Sequence, residues 1–421
     1  MLIEQILERK NLQIAFKRVK KNKGSAGVDN ISQDEFPKYL QENWVTIKQE
    51  ILEEKYKPNP VRKVEIPKPN GGIRQLGIPT LTDRLVQQAI LQILSPIYEK
   101  KFSNSSFGFR PGKSAHQALK QSQGYINEGY KYTVDMDMAK FFDTVNHDRL
   151  MKRMTEDIKD KTLLRLIRKY LNAGIMDKGV KIKSEVGTPQ GGPLSPLLAN
   201  IVLDELDKEL ESRGHKFCRY ADDCNIYVKS KRAGERVMQS TTKFIEEKLK
   251  LKVNQSKSAV DMPSKRKFLG FSIYWNRKGE ARITVSRKSK QRLQEKIKEL
   301  TRRNRSMNLK TRIDRIDQYL TGWLNYYQIA DMKTFLIKEE GRLKRRLRMC
   351  IWKQWKKVRT RYRRLKQLGL SHTEAIKYAN TRKEYWRVSN SPILTRTLTN
   401  DYFDKLGLIN LTKDYLKLKS I

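Results

Sequence analysis

The chain has little of what would cross-link it or place it in a bilayer. Its three cysteines, Cys218, Cys224 and Cys350, form no Cys-x-x-Cys pair, and only four histidines accompany them. Disulfides are therefore not needed for the fold, and the cysteine spacing does not favour a structural zinc site. No run of about 18 apolar residues is present to span a bilayer. The opening segment is an ordinary amphipathic pattern rather than a signal peptide. The expectation is a cytoplasmic protein with no membrane partner. Internal repeats and low-complexity tracts are also missing. Acid is scarce: 46 Asp and Glu stand against 89 Lys and Arg, a formal net charge of +43.

That charge implies a polyanionic partner, nucleic acid before any other. It is unevenly spread. Residues 281–421 carry 37 basic and 12 acidic side chains, a net of +25, and residues 341–366 carry 13 basic and no acidic ones. The pattern reads as a nucleic-acid-gripping module joined to a more balanced catalytic body. At 421 residues the chain has length for two or three domains.

The patterning along the first two thirds mixes strands and helices. Residues 1–45 read as helix, loop, helix, the loop being residues 22–29. Residues 61–77 read as a hairpin, with alternating Val61, Val64 and Ile66. A helix over residues 83–98 follows, striped by Leu85, Ile90, Leu91 and Leu94. Residues 131–137 alternate as a strand, with Asp135 and Asp137 on one face. A Gly-rich turn, residues 187–192, leads into a helix whose expected cap is Ser195 with Pro196 behind it. A second hairpin centres on Tyr220-Ala221-Asp222-Asp223. Residues 244–251 read as helix, and Phe268-Leu269-Gly270-Phe271 as a last apolar strand. The pattern is all-helical beyond about Trp275. The class is α+β on a split βαβ sheet, followed by an all-helical basic part.

The Asp222-Asp223 pair carries the chemistry. Adjacent like charges repel, and a plain turn would use Asn-Gly or Asp-Gly. Nucleotidyl transfer supplies a reason to hold them: two Mg²⁺ ions about 4 Å apart need hard oxygen ligands. Asp137 is the candidate third carboxylate. Asp135, Asp143 and Asp148 read as surface pairing or helix capping. Phe142, five residues past Asp137, can close the floor under a sugar and exclude a 2′-hydroxyl. Lys68 and Arg74 flank a hairpin turn and suit a triphosphate. Gln190 lies beside glycines that let backbone approach a base pair. Trp352, Trp355 and Tyr362 are interleaved with cations, a composition suited to RNA or a primer–template duplex.

Taken together these runs resemble the bacterial group II intron reverse transcriptase–maturases. The matching stretches are Ile66-Pro67-Lys68-Pro69, Arg74-Gln75-Leu76-Gly77-Ile78-Pro79-Thr80 and Phe107-Gly108-Phe109-Arg110-Pro111-Gly112. Val134-Asp135-Met136-Asp137, Phe141-Phe142-Asp143 and Gly187-Thr188-Pro189-Gln190-Gly191-Gly192-Pro193-Leu194-Ser195-Pro196 continue the series. Arg219-Tyr220-Ala221-Asp222-Asp223, Phe268-Leu269-Gly270-Phe271 and Gly322-Trp323-Leu324-Asn325-Tyr326-Tyr327 complete it.

The resemblance implies a right-hand polymerase. Residues 1–45 would be an N-terminal extension with a template lid at 22–29, and 46–276 the fingers and palm. Residues 277–366 would be the thumb, or maturase domain, and 367–421 a small basic DNA-binding domain. It implies that Asp137, Asp222 and Asp223 bind two Mg²⁺, with Asp137 and Asp222 the principal ligands. Lys68 and Arg74 would hold the triphosphate, Phe142 would be the steric gate, and Gln190 would contact nucleotide or template. Phe268, Leu269 and Gly270 would grip the primer, while Arg345, Arg346, Arg348, Lys353 and Lys356 face RNA.

The implied partners are the intron RNA, an RNA template with a DNA primer, deoxynucleoside triphosphates and target DNA, met in the bacterial cytoplasm at the nucleoid. No Cys pairs are present to build a zinc-bearing endonuclease, as in the endonuclease-lacking, class C-like branches. Two other roles fit the same residues: a non-catalytic RNA-binding splicing cofactor, and a host-adopted reverse transcriptase in repair or defence.

Overall fold

The computed structural model describes residues 1–67, 71–139, 141–177, 180–182 and 191–420. Its contacts divide the chain into two compact units, Met1–Met262 and Pro263–Ile421.

In the first unit, β1 (Val61–Pro67) and β2 (Ile73–Ile78) form the expected antiparallel hairpin. The second sheet begins with β3 (Tyr132–Asp137), whose Val134 and Met136 are fully buried while Asp135 and Asp137 are half-exposed. Strands β4 (Ile175–Asp177) and β5 (Val180–Ile182) complete the first sheet in the order β2-β1-β4-β5. Strands β6 (Lys216–Tyr220), β7 (Asp223–Val228) and β8 (Ala259–Asp261) complete the second in the order β6-β7-β3-β8. Every neighbour in that second sheet is antiparallel. Helices connect β3 to β6 and β7 to β8, so β3 and β6 run parallel with β7 between them. This is the split βαβ arrangement expected from the sequence.

The helix Leu81–Glu99 starts where Thr80 Oγ1 accepts the Asp83 amide hydrogen, and it buries Leu85, Ala89, Ile90 and Leu94 in the core. Helix Ser195–Ser212 differs from expectation at its start. Leu194 takes the cap position without a side-chain bond and Ser195 is already helical and buried, because the apolar Leu194 is itself drawn into the core. Helix Lys231–Lys243 continues as a π-helical turn over Phe244–Lys248, shorter than the helix expected to residue 251.

The second unit opens with β9 (Phe271–Trp275) and β10 (Ala281–Val285), an antiparallel hairpin. Two expectations fail here. Phe268-Leu269-Gly270 is a tight turn rather than a strand, since Leu269 and Gly270 take φ of +52° and +89°. The all-helical pattern begins only after β10. A short apolar run does not distinguish a turn from a strand by periodicity. Helices Arg287–Leu300, Leu309–Tyr327, Lys333–Gln354 and Val358–Gln367 follow. Ile313, Ile316, Leu320, Trp323 and Leu324 form one buried stripe, and Leu343, Leu347 and Ile351 another. Val358 is exposed because the chain turns at Trp355–Lys357 before the next helix. The final helix, Leu411–Lys419, packs back through a bond from Tyr415 Oη to the Ala330 carbonyl, 2.8 Å.

Candidate active site

Asp137 ends β3 directly opposite Asp223, the first residue of β7. Tyr220 faces Asp223 across the next pair, so Ala221-Asp222 is a two-residue hairpin loop. Ala221 has φ +57°, the left-handed region that favours glycine. Strain of this kind costs about 1–3 kcal/mol and persists only where surroundings impose it.

The surroundings are visible. Arg219 is fully buried and uses all five of its N–H donors. Nε and Nη2 bond the two Asp207 oxygens at 2.6 and 2.5 Å. Nη1 reaches Asn200 Oδ1 at 3.0 Å and the Ala221 carbonyl at 2.9 Å, and Nη2 also reaches Ser106 Oγ at 2.8 Å. Asn200 Nδ2 in turn donates to the Gly108 carbonyl at 2.8 Å. A Cβ at Gly108 would stand 2.3 Å from the Ala221 nitrogen, so only glycine lets this loop reach the turn. The helix Ser195–Ser212, the 106–108 loop and β6 thus converge on the backbone that aims Asp222.

Burial holds the half-exposed Asp222 carboxyl above its ordinary value, its own backbone hydrogen bond opposes that, and the nearby Asp137 charge pushes it further up. Arg74 and Lys257 pull in the opposite direction, which places both cations within electrostatic reach of Asp222. Lys257 Nζ lies 3.3 Å from Asp137 Oδ1. Ser258 Oγ accepts the Asp137 amide hydrogen at 3.0 Å, and the Asn254 amide donates to the Asp137 carbonyl at 2.8 Å. The 254–258 segment therefore clasps the end of β3.

Among the described residues, no group of three or more His, Cys, Asp or Glu side chains is arranged to hold a metal ion. Asp137 and Asp222 nevertheless fit a hard divalent cation by donor chemistry. They are two oxygen ligands whose mutual repulsion a cation relieves.

The other sequence-derived candidates separate clearly. Phe141 is core at 2% exposure, while Phe142 packs edge-on against it, 5.3 Å between centroids, and stays half-exposed. Lys68 and Gln190 lie outside the described residues. Just past Gln190, a Cβ at Gly191 would meet the Gly77 carbonyl at 2.4 Å, so that backbone lies against β2, the strand of Arg74. Asp148 pairs with Arg168 at 2.6 Å, a surface pairing as expected, and Asp143 sits in a helical first turn. The 22–29 loop is fastened to the start of helix Leu81–Glu99: Arg84 Nη2 bonds the Ser25 carbonyl, and a Cβ at Gly27 would meet Thr80 backbone at 2.6 Å.

Phe268-Leu269-Gly270 belongs to the second unit, and there it meets the Gly322–Tyr327 stretch. Tyr326 Oη donates to the Leu269 carbonyl at 2.8 Å, and a Cβ on Gly270 would stand 2.6 Å from Tyr327 Oη. The five basic candidates divide. Arg348 is buried and bonds the Leu398 carbonyl at 3.0 Å, Arg346 bonds Thr301 Oγ1 at 2.5 Å, and Arg345 lies 3.9 Å over the Trp386 ring. Lys353 lies 4.8 Å over Tyr385, and Lys356 is exposed. Asp207, Asn200 and Lys257 carried no sequence signal as site residues, and Arg219 only as the first residue of the Arg219–Asp223 run. Their partners lie far away in the chain, and buried arginines are rare enough that no pattern marks them.

Residues 66–273 match the model of the reverse transcriptase (RNA-dependent DNA polymerase) family, and residues 290–369 match that of the group II intron maturase-specific domain. Protein YkfC of Escherichia coli is 33% identical over 272 residues, 56% of this chain and 71% of that protein. The chain belongs to the group II intron reverse transcriptase–maturases. The group II intron-encoded protein LtrA of Lactococcus lactis is 32% identical to this reverse transcriptase–maturase over 343 residues, 66% of this chain. The alignment spans 56% of the length of LtrA. A chain of a Cas6-RT-Cas1–Cas2 complex is 24% identical over 58% of this chain and 42% of that one, with a TM-score of 0.38. In this reverse transcriptase–maturase, no helix among the described residues is long and apolar enough to cross a membrane.

Proposed function

We propose that this chain is an RNA-directed DNA polymerase that also binds its intron RNA to assist splicing and mobility. The observation that carries the reading is the register that sets Asp137 against Asp223, with Asp222 at the apex of a loop backed by buried Arg219. Asp137 and Asp222 would hold two Mg²⁺ ions, with Asp223 in support, and the metal would supply activation of a primer 3′-hydroxyl and charge stabilisation on the leaving pyrophosphate. Arg219, through Ala221, keeps the Asp222 carboxylate aimed without a reorganisation step. Arg74 and Lys68 bind the triphosphate. Phe142 blocks a 2′-hydroxyl, and Gln190 contacts nucleotide or template.

In this reading residues 46–276 are fingers and palm, 277–366 the thumb or maturase domain, and 367–421 a DNA-binding domain. The Phe268–Gly270 turn, braced by Tyr326 and Tyr327, grips the primer. Lys353, Lys356 and the stacked Arg345 face RNA, whereas Arg346 and Arg348 chiefly hold the fold. Partners are intron RNA, an RNA template with DNA primer, deoxynucleotides and target DNA, in the bacterial cytoplasm at the nucleoid.

Primer extension on an RNA template tests the reading. Asp222→Ala is expected to abolish Mg²⁺-dependent extension, and normal extension by that variant overturns it. Phe142→Val is expected to admit ribonucleotides in single-nucleotide incorporation, and unchanged sugar discrimination removes the gate.

A further inference from the structure

The second unit contains a basin of about 480 Å³ that none of the roles above uses. It lies where four helices meet: the start of Leu309–Tyr327, the end of Lys333–Gln354, the end of Val358–Gln367, and Asn400–Lys405. Its walls offer two rings, Trp355 and Tyr402, one guanidinium, Arg364, and three amides, Asn308, Gln354 and Gln367. The volume lies within the range of small-ligand sites, about 300–1,000 Å³.

The lining chemistry selects the occupant. None of the described residues lining the basin is acidic, so a metal ion or basic peptide has no counter-charge there. Arg364 bonds the neutral Gln367 Oε1 at 3.1 Å, which leaves its positive charge uncancelled for an anion. Gln354 donates from Nε2 to the Met307 carbonyl at 2.9 Å, and Asn308 Oδ1 accepts the Lys310 amide hydrogen. Each amide therefore keeps its other function, an acceptor on Gln354 and a donor on Asn308. A planar group with both donors and acceptors on its edge, joined to an anion, matches this set: a nucleobase with its phosphate.

Tyr402 is half-buried and lines the basin, so ring surface is left to stack, and Trp355 in the same lining is 9% exposed. Lys356 and Lys357 are exposed immediately beyond Trp355, within a stretch of 13 basic and no acidic residues at 341–366. Cations placed there suit the flanking phosphates of a continuous strand better than a free mononucleotide.

We propose that this basin takes one unstacked nucleotide of a bound strand, the base against Tyr402 and the phosphate toward Arg364. The inference rests on reading the chain as a nucleic-acid polymerase and maturase, and adds a site where a single extruded residue is recognised.

The test titrates the full chain against three probes: a hairpin RNA with one bulged 2-aminopurine, the same hairpin without the bulge, and single-stranded DNA carrying the same base. Arg364→Gln on an exposed helical face, and Tyr402→Leu, are each expected to weaken bulged-RNA binding about tenfold, with paired-hairpin affinity held within about twofold. The 2-aminopurine fluorescence change should disappear in parallel. Arg364→Gln alone decides the matter if Tyr402→Leu does not fold. A larger effect in the DNA arm assigns the nucleotide to a DNA strand. Equal losses on both hairpins, or no loss on either, overturn the pocket and leave the functional reading standing. Binding to none of the probes overturns both.

Discussion

In the Met1–Met262 unit the buried guanidinium of Arg219 meets the Asp207 carboxylate at 2.5 and 2.6 Å, and Arg110 meets Glu99 at 2.6 Å. In the Pro263–Ile421 unit the buried Arg312 and Arg348 meet backbone carbonyls instead. Arg312 reaches those of Leu300 and Arg305 at 2.6 and 2.9 Å, and Arg348 that of Leu398 at 3.0 Å. The buried Lys344–Glu340 pair is the second unit's exception. The two solutions differ in charge. A carboxylate partner cancels the cation and fixes a geometry, as an active site needs. A carbonyl partner leaves the positive charge in place, and the second unit accumulates it.

Removing the cations is the strongest way to break this contrast. Arg219→Met leaves Asp207 as a buried, unpaired carboxylate and should cost about 3–5 kcal/mol in urea unfolding. Arg348→Met abandons only a neutral carbonyl and some packing on Phe403, and should cost about 1–3 kcal/mol. Equal losses would mean that the partner's charge is immaterial.

A smaller effect sharpens the point at Asp222. Burial, and then the Asp137 charge, hold its carboxyl above the ordinary value, so the folded chain binds that proton more tightly than the unfolded chain does. The stability this contributes is full below the ordinary Asp range and is lost as pH rises through the raised value. At pH 7 Asp222→Asn should therefore raise the urea midpoint while eliminating extension, and the gain should vanish below about pH 4. A lowered midpoint at pH 7 would contradict it. The smallest change concerns salt. Lys353→Gln and Lys356→Gln should each reduce the slope of log affinity against log salt by roughly one, without moving the unfolding midpoint. A slope that does not change takes those cations off the interface.

Much of the local structure was legible because it rests on short periodicities. The strand ending at Asp137, the hairpin about Asp222 and the helix Leu81–Glu99 all follow from residues within a few positions of each other. What escaped was assembled over distance. Arg219 draws on Ser106, Asn200 and Asp207, and Lys257 reaches back to Asp137 across 120 positions. The Phe268–Gly270 turn reads as strand in an apolar run, whereas Leu269 and Gly270 at positive φ form a two-residue turn closed by Phe268–Phe271 backbone bonds and braced by Tyr326 and Tyr327, more than 50 positions later. The basic stretch 341–366 was legible as charge. Which cations face inward was not, because carbonyls and rings leave no complementary acidic residues in the sequence to reveal the pairing.

The pairing of Asp137 with Asp223 also governs when the site can come into being. The two strands it joins are separated by a long stretch of chain, and non-local pairing of this kind slows folding. A ribosome-bound chain cut short before β7 has made one carboxylate strand and no partner for it. Synthesis must also pass β8, at Ala259–Asp261, before the sheet is complete. A nascent chain therefore holds more than half of its net positive charge back, because residues 281–421, with the strongly basic 341–366 stretch, emerge only after every strand of the carboxylate sheet has been made.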